Sequence, residues 1–315
     1  MTLQRSCRDM PVDRYQHWAM DQLKAQVPFD AAMWASGHFS ADKRGPVIHN
    51  VVLANRPLAM MADYEAIKDD DPLASALRAN PGVSCVINAL PDLPGSPPEI
   101  RDYLLKWNII NAISNVIVDP LTGLLTCVAL YREKRDAPFT ESERRFHEDA
   151  MPHLIETYAT NRIVHLIRAA QPRNAAIYAS AAADALGQLQ VAPDDFQRLL
   201  LAEWPEWRGS RLPPGLRHLT GSKTASRFVG KRVYIRSAPV DTVFLVQARE
   251  KRAADELTVR ELEVARLTAK GLTYGEVAKR LAISPATVRN HLSAVYGKLG
   301  ARKQAEIVPL LHEVD

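Results

Sequence analysis

Three short segments near the C-terminus begin helices with the same local grammar, and they constrain this chain more than anything else in it. Leu257-Thr258-Val259-Arg260-Glu261-Leu262 is a capping box. Thr258 is placed to accept from the backbone N–H of Glu261, whose carboxylate reaches back to the N–H of Thr258, with Leu257 and Leu262 as a hydrophobic staple. The pattern returns at Leu272-Thr273-Tyr274-Gly275-Glu276-Val277. It returns altered at Ile283-Ser284-Pro285-Ala286-Thr287-Val288, where Ser284 caps, Pro285 takes the first helical position, and Ile283 and Val288 form the staple. Three marked helices, the last two joined by a tight turn, describe a helix-turn-helix.

The helical phase can be followed residue by residue. A first helix is expected over 259–270, with Leu262, Ala265 and Ala269 on one face, Val264 and Leu267 on the next, and Gly271 to end it. A second over 274–281 buries Val277, Ala278 and Leu281. The third, over 285–299, turns Val288, Leu292, Val295 and Leu299 inward and leaves Arg289, Asn290, Ser293 and Gly297 outside. Arginine can pair bidentately with guanine and asparagine with adenine, so that outer face is suited to reading base edges. Gly300 ends the helix, and 302–312 forms a fourth.

Charge supports the same reading. The 315 residues carry a formal charge of only +4, yet the stretch from Lys279 to Lys303 holds six basic residues (Lys279, Arg280, Arg289, Lys298, Arg302, Lys303) and no acidic one. Such an imbalance marks a phosphate-binding surface, although a solvated basic helix face is the plainer alternative. Arg302 and Lys303 stand in the first turn of the fourth helix, where the helix dipole disfavours cations. A pair with Glu306 one turn on accounts for Arg302, and a nearby phosphate accounts for Lys303.

The rest of the chain narrows the class of protein. Its length allows two or three domains, and 47% apolar content can fill their cores. Cys7, Cys85 and Cys127 are far apart with no CxxC spacing, which excludes a disulfide framework or zinc site and implies reduced thiols. No signal peptide is read at the N-terminus, and no apolar run is long enough to span a membrane, since 109–118 is broken by Asn111, Ser114 and Asn115. A cytoplasmic protein without a metal or cofactor is expected. Gly221-Ser222-Lys223-Thr224 fails the spacing of a phosphate loop, the early acidic pair of a receiver domain is missing, and no GxSxG, HExxH or Cys/His zinc signature appears. An enzyme is therefore not expected.

Upstream, helices are predicted over 12–27, 60–68, 72–79 and 99–107, and strands over 31–39 and 46–54. Residues 115–119 and 124–131 form a hairpin about Pro120-Leu121-Thr122-Gly123. Thr140-Glu141-Ser142-Glu143 caps a long helix with Phe146, Ala150, Leu154, Tyr158 and Arg162 on one stripe, which Pro152 should kink or divide. Residues 171–174 read as a linker. Beyond them, a strand is expected over 176–180, a helix over 193–202, an irregular stretch over 204–221, and paired strands over 232–237 and 242–248. The charged segment 250–255 reads as a tether, and no internal repeat is visible.

The segment Leu257-Thr258, Arg260-Glu261, Gly271-Leu272-Thr273, Glu276-Val277-Ala278, Ile283-Ser284, Thr287-Val288-Arg289-Asn290-His291, Lys298-Leu299, Arg302, Ala305 resembles the LuxR-type DNA-binding domain of bacterial transcription regulators over about the last sixty residues. The resemblance implies four helices, dimerisation helped by the last, and a third helix in the major groove. By it Arg289, Asn290 and Ser293 face bases, Thr287 and Lys298 face phosphates, and His291 packs within the domain. Tyr274-Gly275 departs from the polar pair usual there. Residues 1–171 resemble GAF-like sensor domains and 175–250 PAS-like ones, ahead of the helix-turn-helix domain at 254–315 with its motif at 273–292. The implied fold is multidomain, an α+β sensor region followed by an all-α four-helix unit. Such sensor folds enclose pockets; Trp34, Phe39, Trp107 and Tyr131 are the aromatics that would line one, with ordinary core packing as the simpler reading of all four. Tyr64 with Asp71-Pro72 resembles acyl-homoserine-lactone receptors, but the tryptophan expected downstream is absent from 79–88, and the middle domain is extra. The function implied is a DNA-binding regulator with double-stranded DNA, a second copy of itself, a small-molecule effector and RNA polymerase as partners; an acyl-homoserine-lactone receptor is the alternative.

Overall fold

The structure, a computed structural model, describes residues 10–39, 45–92, 94–170, 175–221, 224–241 and 243–312. The linker at 171–174 and Cys7 lie outside them. The first unit contains α1 (Val12–Lys24), β1 (Ala31–Phe39), β2 (Pro46–Ala54), α2 (Ala59–Glu65), α3 (Pro72–Ala79), β3 (Cys85–Ile87), α4 (Pro98–Lys106), β4 (Asn111–Val118), β5 (Leu124–Arg132) and α5 (Glu141–Ala170). Its strands form one antiparallel sheet in the order β2-β1-β5-β4-β3. Side chains alternate across that sheet. Ala32, Trp34, Ile113, Val128 and Leu130 pack against Tyr15, Leu23, Met151 and Tyr158 of α1 and α5. Ala31, Ala112, Ala129 and Tyr131 face the other way, under Met60, Ile100 and Leu104 of α2 and α4. The sheet is thus the middle of three layers.

The α5 capping box forms as expected: the Thr140 N–H donates to Glu143 Oε2 at 2.8 Å and the Glu143 N–H to Thr140 Oγ1 at 3.3 Å. Pro152 does not divide the helix, which runs through it for 30 residues. It lies on the exposed side, where the carbonyl left without an N–H donor can turn to water. The expected stripe is also out of phase. Phe146 is 42% exposed, and the buried face is His147, Met151, Leu154, Tyr158 and Asn161. Polar side chains enter this core because they have partners: Ser84 Oγ lies 2.9 Å from His147 Nδ1, and Asn161 Nδ2 donates to the Met10 carbonyl at 2.7 Å. Burial lowers the His147 pKa to about 4.

The second unit holds β6 (Ala179–Ala183), β7 (Leu189–Val191), α6 (Asp194–Glu203), β8 (Ser226–Val229), β9 (Val233–Val240) and β10 (Val243–Glu250). Its sheet order is β7-β6-β10-β9-β8, which is the strand sequence of the first sheet over again: second, first, fifth, fourth, third. A repeat of fold exists where none was visible in sequence. The stretch 204–221, expected to be irregular, supplies Trp207, Leu212, Leu216 and Leu219 to the core against Phe196 and Leu200 of α6. The two units are tightly joined. Leu121 and Leu124 of the β4–β5 hairpin pack on the second core, Gln197 Nε2 donates to Asp119 Oδ2 at 2.7 Å, and Leu166 of α5 packs against Ala182, Val191 and Leu245.

The segment expected to be a tether is not one. Arg249 at the end of β10 pairs with Asp255 through both terminal guanidinium nitrogens, each 2.6 Å from a carboxylate oxygen, with side chains 4% and 0% exposed. Arg249 also lies over the Tyr234 ring, 4.4 Å from its centre, and donates to the Tyr178 hydroxyl at 3.1 Å. Asp255 sits in a 3-10 turn, Ala253–Glu256, whose Ala254 and the following Leu257 belong to the C-terminal core. A short charged run is a flexible linker only if its charges stay in water, and these two do not.

Candidate nucleic-acid interface

The C-terminal unit is all-helical: α7 (Val259–Ala269), α8 (Tyr274–Leu281), α9 (Pro285–Leu299) and α10 (Gln304–His312). The three helix starts form as the sequence spaces them. The Thr258 N–H donates to Glu261 Oε2 at 2.7 Å and the Glu261 N–H to Thr258 Oγ1 at 3.3 Å; Thr273 and Glu276 do the same at 2.8 and 3.4 Å. At the third start the Thr287 N–H donates to Ser284 Oγ at 3.0 Å, with no carboxylate present. The turn between α8 and α9 is closed by Ala282, at φ 54°, and by a bond from the Ile283 N–H to the Ala278 carbonyl at 3.0 Å. The Arg260 guanidinium reaches across from α7 to the Leu281 carbonyl at the end of α8. Gly300, at φ 65°, ends α9 in the left-handed region, where a Cβ would be strained.

This frame fixes the phase of α9. Val288, Leu292, Val295 and Leu299 are buried, while Arg289, Asn290 and Ser293 are exposed. Thr287 is half-buried at the first turn, its hydroxyl 2.8 Å from Ser284 Oγ. Lys279 and Arg280 extend the exposed basic surface from the last turn of α8, where the helix dipole favours cations.

Two basic residues sit otherwise than expected. Lys298 Nζ is 2.6 Å from Glu261 Oε2 and 3.2 Å from the Glu256 carbonyl, so its ammonium ties α9 to α7 and to the turn carrying Asp255. Burial acts to raise the Glu261 pKa, but Lys298 and the Thr258 N–H outweigh it and hold the carboxylate below its usual range. The alternation of apolar and polar positions gave no sign of this bridge, because its two ends are 37 residues apart. The expected side-chain pair of Glu306 with Arg302 is replaced by a cap: Glu306 Oε2 accepts the backbone N–H groups of Arg302 and Lys303 at 2.6 and 3.3 Å. Both long side chains remain exposed.

In the first unit, a cavity of about 90 Å³ lies between the sheet and the helices α2, α3 and α4. Phe39 and Tyr131 line it. Trp34 does not: it is wholly buried on the opposite face of the sheet, its ring 5.5 Å from Tyr158. Trp107 stands outside, its indole N–H donating to Asp63 Oδ2 at 2.9 Å. Tyr64 and Asp71, named together from the sequence, meet in the cavity wall: the Tyr64 hydroxyl donates to Asp71 Oδ2 at 2.8 Å, while Asp71 Oδ1 accepts the Leu73 N–H at 2.9 Å and so caps α3. Burial raises the pKa of Asp71 and of Tyr64, and burial beside Asp71 pushes the Cys127 thiol to about 12.

Comparison with known proteins agrees with this geometry. The family model "Bacterial regulatory proteins, luxR family" matches residues 255–311. The spore germination protein GerE of Bacillus subtilis is 38% identical over 63 residues, covering 20% of this chain and 85% of GerE. The chain belongs to the luxR family of bacterial regulatory proteins. HTH-type transcriptional regulators of Mycobacterium bovis and Mycobacterium tuberculosis are 43% identical over 60 residues, and there the luxR-family segment is 19% of this chain but only 7% of theirs. Among solved structures, Escherichia coli SdiA is 15% identical with a TM-score of 0.38, over 96% of this chain and 90% of that one. Among the described residues no helix of this luxR-family chain is long and apolar enough to cross a membrane.

Proposed function

We propose that this chain is a sequence-specific DNA-binding transcription regulator that acts as a homodimer and answers to a small molecule held in its first unit. The observation that carries the reading is the phase of α9, which commits four apolar side chains to the core and leaves Arg289, Asn290 and Ser293 outside on a helix whose start carries no carboxylate. In the major groove Arg289 and Asn290 would read base edges, while Thr287 and Lys303 would meet phosphates and set the register. Two copies would place two such helices on half-sites of one operator. RNA polymerase is the partner through which an activator of this kind would work.

The test is Arg289→Ala on operators found by mapping bound DNA across the genome. The expected cost is about 1–3 kcal/mol at a cognate site, with base preference relaxed at one position. Unchanged affinity and unchanged preference would remove Arg289 from the reading face. A single monomer footprint at saturating protein would remove the dimer.

A second reading, an acyl-homoserine-lactone receptor, is favoured by one observation: the Tyr64–Asp71 pair in the wall of an otherwise apolar cavity. Titration of the intact protein with N-octanoyl homoserine lactone tests it, and no heat and no change in operator affinity would exclude it.

A further inference from the structure

The helix-turn-helix is not the only part of the chain with cations and no acids. Between Glu206 and Asp241 lie eight basic residues and no acidic one, a longer and denser run than the six between Glu276 and Glu306. It falls in the second unit. Arg211 lies beside Gln188 at the start of β7, and Arg236 leans onto the Tyr178 ring, 3.8 Å from its centre. Arg217, Arg227, Lys231 and Arg232 belong to the opposite edge of the sheet. All four are exposed, and none is in an ion pair among the described residues.

These four cations are set close together by the fold. Arg227 is on the edge strand β8. His218 lies against that strand, its Nε2 3.4 Å from the Arg227 carbonyl, and this brings Arg217 beside it. Lys231 and Arg232 form the turn from β8 to β9, and Glu203 at the end of α6 fixes that turn. Glu203 Oε1 accepts the Lys231 N–H at 2.8 Å and Oε2 the Arg232 N–H at 2.6 Å. Gly230 permits the approach, since a Cβ there would stand 2.6 Å from the Glu203 carboxyl carbon. The carboxylate thus bonds the backbone of the turn and leaves both long side chains in solvent. A charge on an edge strand guards it against pairing with another sheet, which accounts for Arg227 but not for the cations of the turn. Their mutual repulsion is relieved by a polyanion.

The turn stands at the end of the sheet from which the chain enters the helix-turn-helix. The Lys251 N–H donates to the Arg232 carbonyl at 2.8 Å. Lys251 Nζ lies 2.7 Å from Glu256 Oε1, and Lys298 Nζ, at the end of α9, lies 3.2 Å from the Glu256 carbonyl. Three contacts therefore lead from the basic turn to α9. From Lys298 back to Arg289 the helix rises about 14 Å, less than half a turn of duplex.

We propose that this edge of the second unit is a second DNA contact, which holds the phosphate backbone of the duplex flanking each half-site and reads no bases. It rests on α9 being the DNA-reading helix. Contacts of this kind carry no sequence information; they add affinity and salt dependence. Duplex fits the edge better than a lipid surface does, because the neighbouring Trp204 and Phe228 are half-buried against the second core and leave little to insert into a bilayer.

The experiment uses the intact chain and two duplexes. One is a mapped operator trimmed to its two half-sites; the other is extended by about ten base pairs, one helical turn, on either side. Wild type is expected to bind the extended duplex more tightly and with a steeper dependence on salt. Arg227→Gln, Lys231→Gln and Arg232→Gln combined are expected to lower the slope of log affinity against log salt on the extended duplex by about 2.7 per protomer, at about 0.9 for each phosphate contact. Binding to the trimmed duplex and base preference are expected to stay as in wild type. Each single variant is expected to lower the slope by about 0.9, which keeps the test open if the triple variant does not fold. An unchanged slope on the extended duplex, with Arg289→Ala still relaxing base preference, refutes the second contact and leaves the reading helix in place. The same unchanged slope with weakened sedimentation on phosphatidylglycerol vesicles assigns the edge to a membrane and refutes it as well. An equal loss on both duplexes places the cations away from the flank and also refutes it. A wild type that prefers no duplex sequence removes the DNA-reading helix, and the second contact with it.

Discussion

Lys298 separates two accounts of the DNA-binding surface, and Lys298→Met decides between them. As a phosphate contact it would add about 0.9 to the slope of log affinity against log salt, and its loss would weaken binding to every sequence. The structure instead places its ammonium 2.6 Å from Glu261. Glu261 is 7% exposed and the Lys298 side chain about one-third exposed. Removing one partner of a wholly buried pair costs about 3–5 kcal/mol, while an exposed pair contributes about 1 kcal/mol or less. Glu261 keeps the Thr258 N–H after the change, so the expected loss lies between these limits, about 2 kcal/mol. That is about a thirtyfold rise in local opening. Hydrogen exchange by mass spectrometry on the intact chain reads it at the α9 amides, Val295 and Leu299 among them, which report local unfolding. Operator binding at several salt concentrations supplies the second axis. The expected result is lost protection in α9 with an unchanged salt slope. A slope lowered by about 0.9 with protection intact would show that Lys298 leaves Glu261 for phosphate when DNA is bound, and would refute the clamp.

Arg249→Met leaves Asp255 buried with the Arg252 N–H as its remaining partner among the described residues, at an expected cost of about 3–5 kcal/mol. Limited proteolysis at 250–256 should change from resistant to rapid, and unchanged resistance would mean that the pair does not hold the joint. His147 titrates near its ordinary 6.5 when unfolded but near about 4 when folded, so the first unit should be fully stable above pH 6.5 and lose about 3 kcal/mol as pH falls towards 4. Exchange protection of α5 measured at pH 7 and pH 5 checks this, and His147→Gln should remove most of the dependence; an equal loss in both proteins would assign it elsewhere.

What could be read from the sequence was whatever is decided within about four residues. The caps at Thr258, Thr273 and Ser284 each involve a side chain and an amide three positions on, so their spelling is sufficient. The inward stripe of α9 is a period of three and four, and it holds because nothing polar competes for the core there. On α5 the same rule failed. His147 and Asn161 are buried through bonds to Ser84 and Met10, partners 63 and 151 residues away, and their phase displaced Phe146 to the surface. The strands β3 and β8 went unseen because three or four residues at a sheet edge carry too little alternation to stand out. The repeated sheet order of the two units left no trace in sequence, since a fold constrains which positions are apolar far more than which apolar residue fills them.

The cavity aromatics show that part of the long-range information was present and unused. Trp34 and Phe39 are five residues apart in one strand, and an odd separation sends them to opposite faces of the sheet. They could never have lined one pocket, whatever lay on either side. Deciding which of them did so needed the packing: α1 and α5 close tightly over the Trp34 face, while α2, α3 and α4 leave space over the other. The joint at Arg249 and Asp255 differs in kind. Both charges were legible as charges six residues apart, and solvated charges in a run are the usual meaning of such a segment. What reverses it is the environment assembled from elsewhere, the hydroxyl of Tyr178 just before β6 and the ring of Tyr234 in β9, which make burial of a guanidinium tolerable. The cavity of the first unit and α9 are therefore connected through packed structure, from the hairpin tip at Leu121, through the second core and β10, to a buried ion pair and the Lys298 contact with the Glu256 carbonyl. With β10 and α7 joined through the buried Arg249–Asp255 pair, a change of packing in the first unit would reach α9 through these contacts.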